Sequence, residues 1–160
     1  MTLVKTLLAG LVGTSFMSVV MTVIHRREWA NADMIRALGS CVTKSYEKAL
    51  GWGLGIHFTS GALFAIPYAA ILSAFPDGGF VVRIGLGTLL GLVHGLVMSL
   101  VLLAVVSEKH PLPQFQKAGF EVGVAHIFGH IAYGVGVAFM VELLRIDWGL
   151  RVLQTGSGAV

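Results

Sequence analysis

Four long apolar runs, separated by polar segments, dominate the chain. The runs cover about residues 2–24, 52–75, 80–106 and 119–144, and each contains few charged side chains. At a rise of about 1.5 Å per residue, a helix of this length crosses the ~30 Å hydrocarbon core of a bilayer with some tilt. The pattern therefore predicts an all-α polytopic membrane protein built as a bundle of four transmembrane helices.

The segment between the first two runs has a different pattern. Its apolar side chains recur every four residues, at Ala30, Met34, Leu38, Val42, Tyr46 and Leu50. Because Arg36, Lys44 and Lys48 lie off this stripe, the pattern predicts a short amphipathic interfacial helix within 30–50, interrupted at Gly39 and Ser40. A helix packed on the end of the bundle would produce the same stripe equally well.

Composition also indicates that lipid is the solvent. The chain has 160 residues, of which 56% are hydrophobic and 12% are charged, with a mean hydropathy of +0.84, so it is far more apolar than an ordinary globular domain. The four runs use nearly all of its length, and we expect one integral membrane domain over 1–160 without a soluble catalytic domain. The net charge is +3 and the basic residues are dispersed, which argues against nucleic-acid binding.

Basic residues are distributed unevenly over the connections. Those between the first and second or the third and fourth runs are Arg26, Arg27, Arg36, Lys44, Lys48, Lys109 and Lys117. On the other side lie Lys5, Arg83, Arg145 and Arg151. The positive-inside rule then predicts a protein of the cell inner (plasma) membrane with both termini outside the cytoplasm.

Small residues four apart form rows on three of the runs. The rows are Ala9 with Gly13, then Gly61, Ala65 and Ala69, then Gly87, Gly91, Gly95 and Ser99. Small side chains let helix backbones approach closely in lipid, where apolar surface alone does not drive association. We expect these rows to form the interior seams of the bundle.

Four histidines are the ionisable groups deepest in the predicted spans. His94 and His130 both fall near the midplane beside glycines, so we expect them to approach each other and to be candidate cofactor ligands, for example to haem b. His57 and His126 fall at a matched shallower depth and are candidate ligands of a transition metal such as copper or zinc.

Two further roles are open to the same histidines. They can hydrogen-bond across helix seams to polar neighbours, which here are Thr14, Ser18, Thr59, Ser60, Ser99 and Tyr133. They can also line a path for protons or a small solute. No cysteine or carboxylate lies deep in a predicted span to complete a familiar metal-binding set, and the single cysteine, Cys41, lies between spans. The structural, cofactor and path interpretations therefore all stay open.

Several short motifs resemble those of a known group of proteins. They are Ala9–Thr14 with Met17 and Ser18, Gly53–Phe58, Ser107–Pro111 and Gly129–Gly134. With these motifs, the chain resembles along most of its length a family of small four-span bacterial membrane proteins of unknown function. The resemblance implies a four-helix bundle and no established activity, substrate or cofactor. It marks His57, His110, His130 and Tyr133 as the first positions to test.

Two classes of function follow from these patterns. The first is a non-enzymatic accessory or assembly subunit of a larger membrane complex, with other membrane subunits or further copies of the chain as partners, because the chain is small and its glycine rows can also face partner helices. The alternative is an intramembrane histidine-ligated haem or metal protein in electron transfer or metal handling. Solute transport is a third interpretation, and it would require oligomerisation. No residue is predicted to be catalytic.

Overall fold

The computed structural model describes residues 1–75 and 79–150. The last ten residues of the predicted 1–160 domain, Arg151 among them, lie outside the described residues, and so do residues 76–78.

Four long helices form the body of the protein. They are α1 (Thr2–Arg26), α3 (Ala49–Ser73), α4 (Gly79–Val101) and α7 (Phe120–Leu143). All four are long and apolar enough to span a membrane, and no strand occurs in the described ranges. The predicted all-α, four-helix polytopic membrane fold is confirmed, and each helix matches an apolar run of the sequence.

The third span continues beyond its α-helix. A π-helical turn, Leu102–Val106, follows α4 directly and leads into the short helices α5 (Ser107–Lys109) and α6 (Pro113–Gln116). Pro113 is the first residue of α6, where its missing N–H costs no hydrogen bond. These elements form the connection between α4 and α7.

The amphipathic segment folds as one helix, α2 (Met34–Thr43). Asp33 caps its start by accepting a hydrogen bond from the Arg36 amide, and Lys44 ends it in the left-handed conformation, with φ 53°. The predicted interruption at Gly39 and Ser40 is wrong, because both residues are helical and buried.

Gly39 allows α2 to pack closely against α3 and does not interrupt the helix. A Cβ at Gly39 would lie 1.8 Å from the Ala49 carbonyl oxygen, and a Cβ at Gly53 would lie 1.8 Å from that of Ile35. The two helices therefore cross backbone to backbone, which more than offsets the modest helix-propensity cost of glycine. Helix α2 packs on the end of the bundle, while Val42 and Leu50 of the predicted stripe stay exposed.

The helices have a definite lateral order. Helix α7 packs against α4 on one side and α1 on the other, α1 also packs against α3, and few backbone contacts join α3 and α4. A Cβ at Gly91 would lie 2.4 Å from the His130 carbonyl oxygen, and one at Gly10 would lie 2.5 Å from that of Gly61. The glycine rows on these helices are therefore interior seams, as predicted.

Polar contacts stabilise the end of the bundle where α1 begins and α7 ends. Lys5 Nζ donates to the Leu144 carbonyl oxygen at 3.0 Å, and Trp148 Nε1 donates to Thr6 Oγ1 at 3.2 Å. An ion pair at 2.8 Å joins Arg83 and Glu142. These contacts tie α1 and α4 to the C-terminal end of α7.

Candidate functional site: a histidine cavity

A cavity of about 240 Å³ lies between α1, α3, α4 and α7, and α2 and α6 line it at one end. The four histidines predicted as site residues all line it, together with the thioethers of Met17 and Met98. We call it the histidine cavity, defined by His57, His94, His126 and His130. Few backbone contacts join α3 and α4, so side chains such as Phe64 and His94 form the wall between these two helices.

Helical spacing brings the histidines to this cavity. His126 and His130 are four residues apart and share one face of α7, and His57 shares its face of α3 with Gly61. His57 is 6% exposed and His126 and His130 are 8% exposed, whereas His94 is half-buried. Three of the four rings are thus almost fully enclosed.

Hydrogen bonds fix the protonation pattern of the two α7 histidines. Nδ1 of His126 lies 3.0 Å from the Val122 carbonyl oxygen, and Nδ1 of His130 lies 2.8 Å from that of His126. A carbonyl oxygen can only accept, so Nδ1 carries the hydrogen in both rings. Nε2 of each ring then carries a free lone pair and has no hydrogen-bond partner among the described residues.

His57 shows the reverse arrangement. Its Nε2 lies 3.0 Å from Ser18 Oγ, and Ser18 donates its only hydroxyl hydrogen to the Thr14 carbonyl oxygen at 2.8 Å. Nε2 must therefore donate to Ser18, which leaves the lone pair on Nδ1 of His57. Ser18 was among the predicted hydrogen-bond partners of the histidines.

His94 joins the two sides of the cavity. Its ring centroid lies 4.5 Å from that of His130, in an edge-to-face arrangement. The prediction that these two histidines approach each other is confirmed, while cofactor binding by them stays a prediction. On the other side, Nδ1 of His94 lies 3.2 Å from the Tyr68 hydroxyl, and its ring centroid lies 4.7 Å from that of Phe64.

Tyr68 and Phe64 are site residues that the sequence analysis missed. They are four residues apart on α3, so helical spacing places them on one face. That spacing was the available signal, but aromatic side chains in a transmembrane helix commonly serve packing alone. Their proximity to His94 depends on how α3 and α4 meet across the cavity.

The other predicted partners make different contacts. Tyr133 donates to the Gly61 carbonyl oxygen at 2.6 Å, and Ser99 donates to that of Gly123 at 2.7 Å. Ser60 donates to Ile56 O and Thr14 donates to Gly10 O, while Thr59 lies on the exposed face of α3. The hydroxyl groups of Tyr133, Ser99, Ser60 and Thr14 thus all donate to backbone carbonyl oxygens and not to the histidines.

The dimensions of the cavity test the predicted cofactors. A cavity of about 150 Å³ holds a benzene-sized ring, so about 240 Å³ holds one substituted ring and not a porphyrin. In addition, His94 and His130 touch, which leaves no space for a macrocycle between them. This conformation does not fit haem b.

A metal site is likewise not preassembled. Within residues 1–75 and 79–150, no group of three or more His, Cys, Asp or Glu side chains is arranged to hold a metal ion. His57 and His126 both line the cavity, from α3 and α7. Their proposed role as metal ligands stays a prediction.

The α2 end of the cavity is held by a second polar cluster. Buried His110 places Nε2 3.0 Å from the Ala37 carbonyl oxygen and packs its ring 4.8 Å from that of Phe115. Tyr46 donates to Asp33 at 2.7 Å, and this hydrogen bond raises the pKa of Tyr46. The Tyr46 ring also lies 6.4 Å from that of Phe115, so the α4–α7 connection contacts both α2 and the α2–α3 connection.

Comparison of the chain with family models, curated proteins and solved structures found no match. The resemblance to a family of small four-span membrane proteins therefore stays a prediction, and the function must be argued from this chain alone.

Proposed function

We propose that the protein is a non-enzymatic accessory or assembly subunit of a larger membrane complex, whose other members are different membrane proteins or further copies of this chain. One observation carries the proposal. A shallow groove, formed by Gly51, Gly55 and Thr59 between Trp52 and Ile56, runs along the outer face of α3.

This groove differs from the interior glycine seams. A Cβ built at Gly51 or Gly55 would meet no atom within 4 Å, whereas Cβ atoms at Gly10, Gly87 or Gly91 would collide with a neighbouring helix. Small residues spaced by four are the element that lets transmembrane helices approach. Trp52, 60% exposed beside them, supplies the large side chain that a partner helix would cover.

Substitution of Gly55 by leucine tests the proposal. Since Gly55 faces open space, Gly55→Leu should leave the fold intact and block a partner helix. Gly85→Leu is the matched control, because Gly85 is also open but has no small residue four positions away on either side. The measurement is the mass of the tagged chain on native gels after mild extraction from its own membrane.

We expect wild type and Gly85→Leu to migrate above the monomer, with Gly55→Leu shifted to the 17.0 kDa chain in its detergent micelle and melting unchanged. A complex mass that is a multiple of the chain mass identifies further copies as the partner. Wild-type protein that is already monomeric, or Gly55→Leu that keeps the complex, contradicts the proposal.

The second candidate is a histidine-ligated metal protein in electron transfer or metal handling. The free Nε2 lone pairs of His126 and His130 favour it, because metal-binding histidines characteristically donate their other ring N–H to a carbonyl. Metal analysis and an absorption spectrum of the purified protein test it. Copper or zinc at one ion per chain, lost in His126→Ala, would support it, and a metal-free, featureless sample would exclude it.

We also place the protein in the cell inner membrane with both termini outside the cytoplasm. The support is the charge asymmetry of the connections: Arg26, Arg27, Lys44, Lys48 and Lys109 lie at the α2 end of the bundle. Helix α2 would then lie at the cytoplasmic interface.

A further inference from the structure

The polar atoms of the histidine cavity differ from those of most sites in which hydrogen-bond donors and acceptors remain unused. Imidazole N–H groups and hydroxyl groups normally supply both donors and acceptors to a ligand. Here the Nδ1–H of His126 and His130 and the Nε2–H of His57 are already used within the chain. Three almost fully buried rings therefore retain only lone pairs.

The hydroxyl groups around the cavity add no free donor. Tyr133, Ser60 and Thr14 each donate their single hydrogen to a backbone carbonyl oxygen. The Tyr68–His94 pair shares one hydrogen bond at 3.2 Å and keeps one N–H or O–H beyond it, next to His130. The three buried rings thus accept hydrogen bonds, and the Tyr68–His94 pair holds the remaining donor beside them. The side-chain donors of Asn31, Gln114 and Cys41 belong to exposed residues at the α2 end.

Charge restricts the ligand further. Among the described residues that line the cavity, the one carboxylate is Asp33, and it is engaged at the N-terminus of α2 by Tyr46 and Arg36. No lining residue in the described part of the chain is a lysine or an arginine. Burying a charged ligand without a counter-charge is costly in an apolar interior, so an uncharged ligand is favoured.

Size and access complete the description. The volume of about 240 Å³ suits one substituted six-membered ring. Apolar side chains such as Phe64, Met98 and Val101 line the α3–α4 side, and Phe64 and Val101 are exposed on the outer surface there. An apolar molecule dissolved in the bilayer would reach the cavity through this wall.

From these four features we propose that the histidine cavity binds an uncharged, single-ring compound that donates hydrogen bonds through its hydroxyl groups, a phenol or hydroquinone taken from the lipid phase. Its hydroxyl groups donate to the lone pairs of His126 and His130, and its ring occupies the apolar remainder. This is a binding site only, with no electron transfer implied. It is independent of the partner groove on α3.

A matched pair of ligands tests the proposal on the unaltered full-length chain. Tetramethylhydroquinone has two hydroxyl donors, and tetramethyl-1,4-benzoquinone has the same skeleton with acceptors only. Binding of each to the detergent-solubilised protein is measured by calorimetry without oxygen. We expect the hydroquinone to bind at least about tenfold more tightly, since each net hydrogen bond is worth about five- to tenfold.

Variants locate the site. His130→Phe and His126→Phe keep a ring and remove a lone pair, and each should weaken hydroquinone binding by about five- to tenfold while leaving quinone binding unchanged. His25→Phe is the control, because His25 is exposed near the end of α1 and does not line the cavity. Equal binding of the two ligands, or undiminished hydroquinone binding by both variants, overturns the proposal.

Metal ions supply the competing outcome. If Cu⁺ or Zn²⁺ binds at one ion per chain through these histidines and the hydroquinone does not bind, the metal-handling candidate is correct and the hydroquinone proposal is wrong. None of these outcomes bears on the Gly55→Leu experiment, so the two proposals fail separately.

Discussion

His110 lies in a connection between two spans and is nevertheless 2% exposed. Its Nε2 is 3.0 Å from the Ala37 carbonyl oxygen of α2, and its own carbonyl oxygen accepts from Gln116 Nε2 at 2.7 Å. The resemblance to four-span proteins marked this residue for testing, but it assigned no contact. In the fold it joins α2 to the α4–α7 connection.

Replacement of His110 by alanine should loosen this junction. The loss leaves the Ala37 carbonyl without its side-chain partner and creates a small cavity, which together cost about 1–3 kcal/mol. We expect a lower melting temperature and faster tryptic cleavage at Arg36 and Lys44. His25→Ala, at an exposed site, should change neither, and an unaltered cleavage rate in His110→Ala would show that α2 is held by other contacts.

The titration of Tyr46 tests its hydrogen bond to Asp33, in the same region of the protein. Its pKa is raised chiefly by the hydrogen bond that it donates to Asp33. A raised folded-state pKa means that the stabilisation is fully present below the unfolded tyrosine value of about 10 and is lost as pH rises through the folded value. The difference in tyrosinate absorbance between wild type and Tyr46→Phe should therefore titrate above about 10, and titration at or below that value would contradict this bond.

Helix α4 shows how one element presents two surfaces of different character. Gly87, Gly91 and Gly95 face α7 so closely that a built Cβ would fall 2.4 to 2.8 Å from its nearest atoms. Gly85, on the same helix, meets nothing within 4 Å. Membrane helices associate through this kind of close packing, so the first surface is a seam and the second faces outward.

Alanine substitution separates these two surfaces. Gly91→Ala should destabilise the bundle by about 1–3 kcal/mol, because the new methyl group collides with backbone atoms of α7 that cannot rotate away. Gly85→Ala should be neutral or stabilising by up to about 1 kcal/mol through helix propensity. Thermal unfolding in detergent measures both. Equal melting temperatures for the two variants would refute the seam.

At the scale of the whole molecule, the lateral order of the helices determines where a site can form. Helix α7 touches both α1 and α4, so its two histidines reach the centre, whereas α3 and α4 meet mainly through side chains. The cavity lies between these four helices, with α2 and α6 at one end. A ligand site and a partner groove thus lie on different faces of α3.

The proposed orientation is tested with single cysteines in a Cys41→Ser background. The native thiol is removed because Cys41 is exposed and would itself react with the maleimide. Partial burial raises the pKa of Cys41, which slows this reaction but does not prevent it. Glu47→Cys and Asp147→Cys place exposed thiols at opposite ends of the bundle. In intact cells an impermeant maleimide should label Asp147→Cys and not Glu47→Cys, and the reverse pattern would invert the topology.

The sequence by itself determined the four spans and the seams, because span length and small-residue spacing are local properties that a helix in lipid expresses directly. The positions of the histidines along the spans also allowed the meeting of His94 and His130 to be predicted. Only the tertiary structure decided that α2 continues through Gly39, since the contact that stabilises it is made with Ala49 of another helix. It likewise decided which nitrogen of His57 keeps a lone pair, because its partner, Ser18 Oγ, belongs to another helix. The partners of His126 and His130 are carbonyl oxygens four residues back on the same helix. Helix order and the hydrogen bond of His57 depend on surfaces that meet only after folding, and for that reason the chemistry of the whole cavity could not be read from spacing alone.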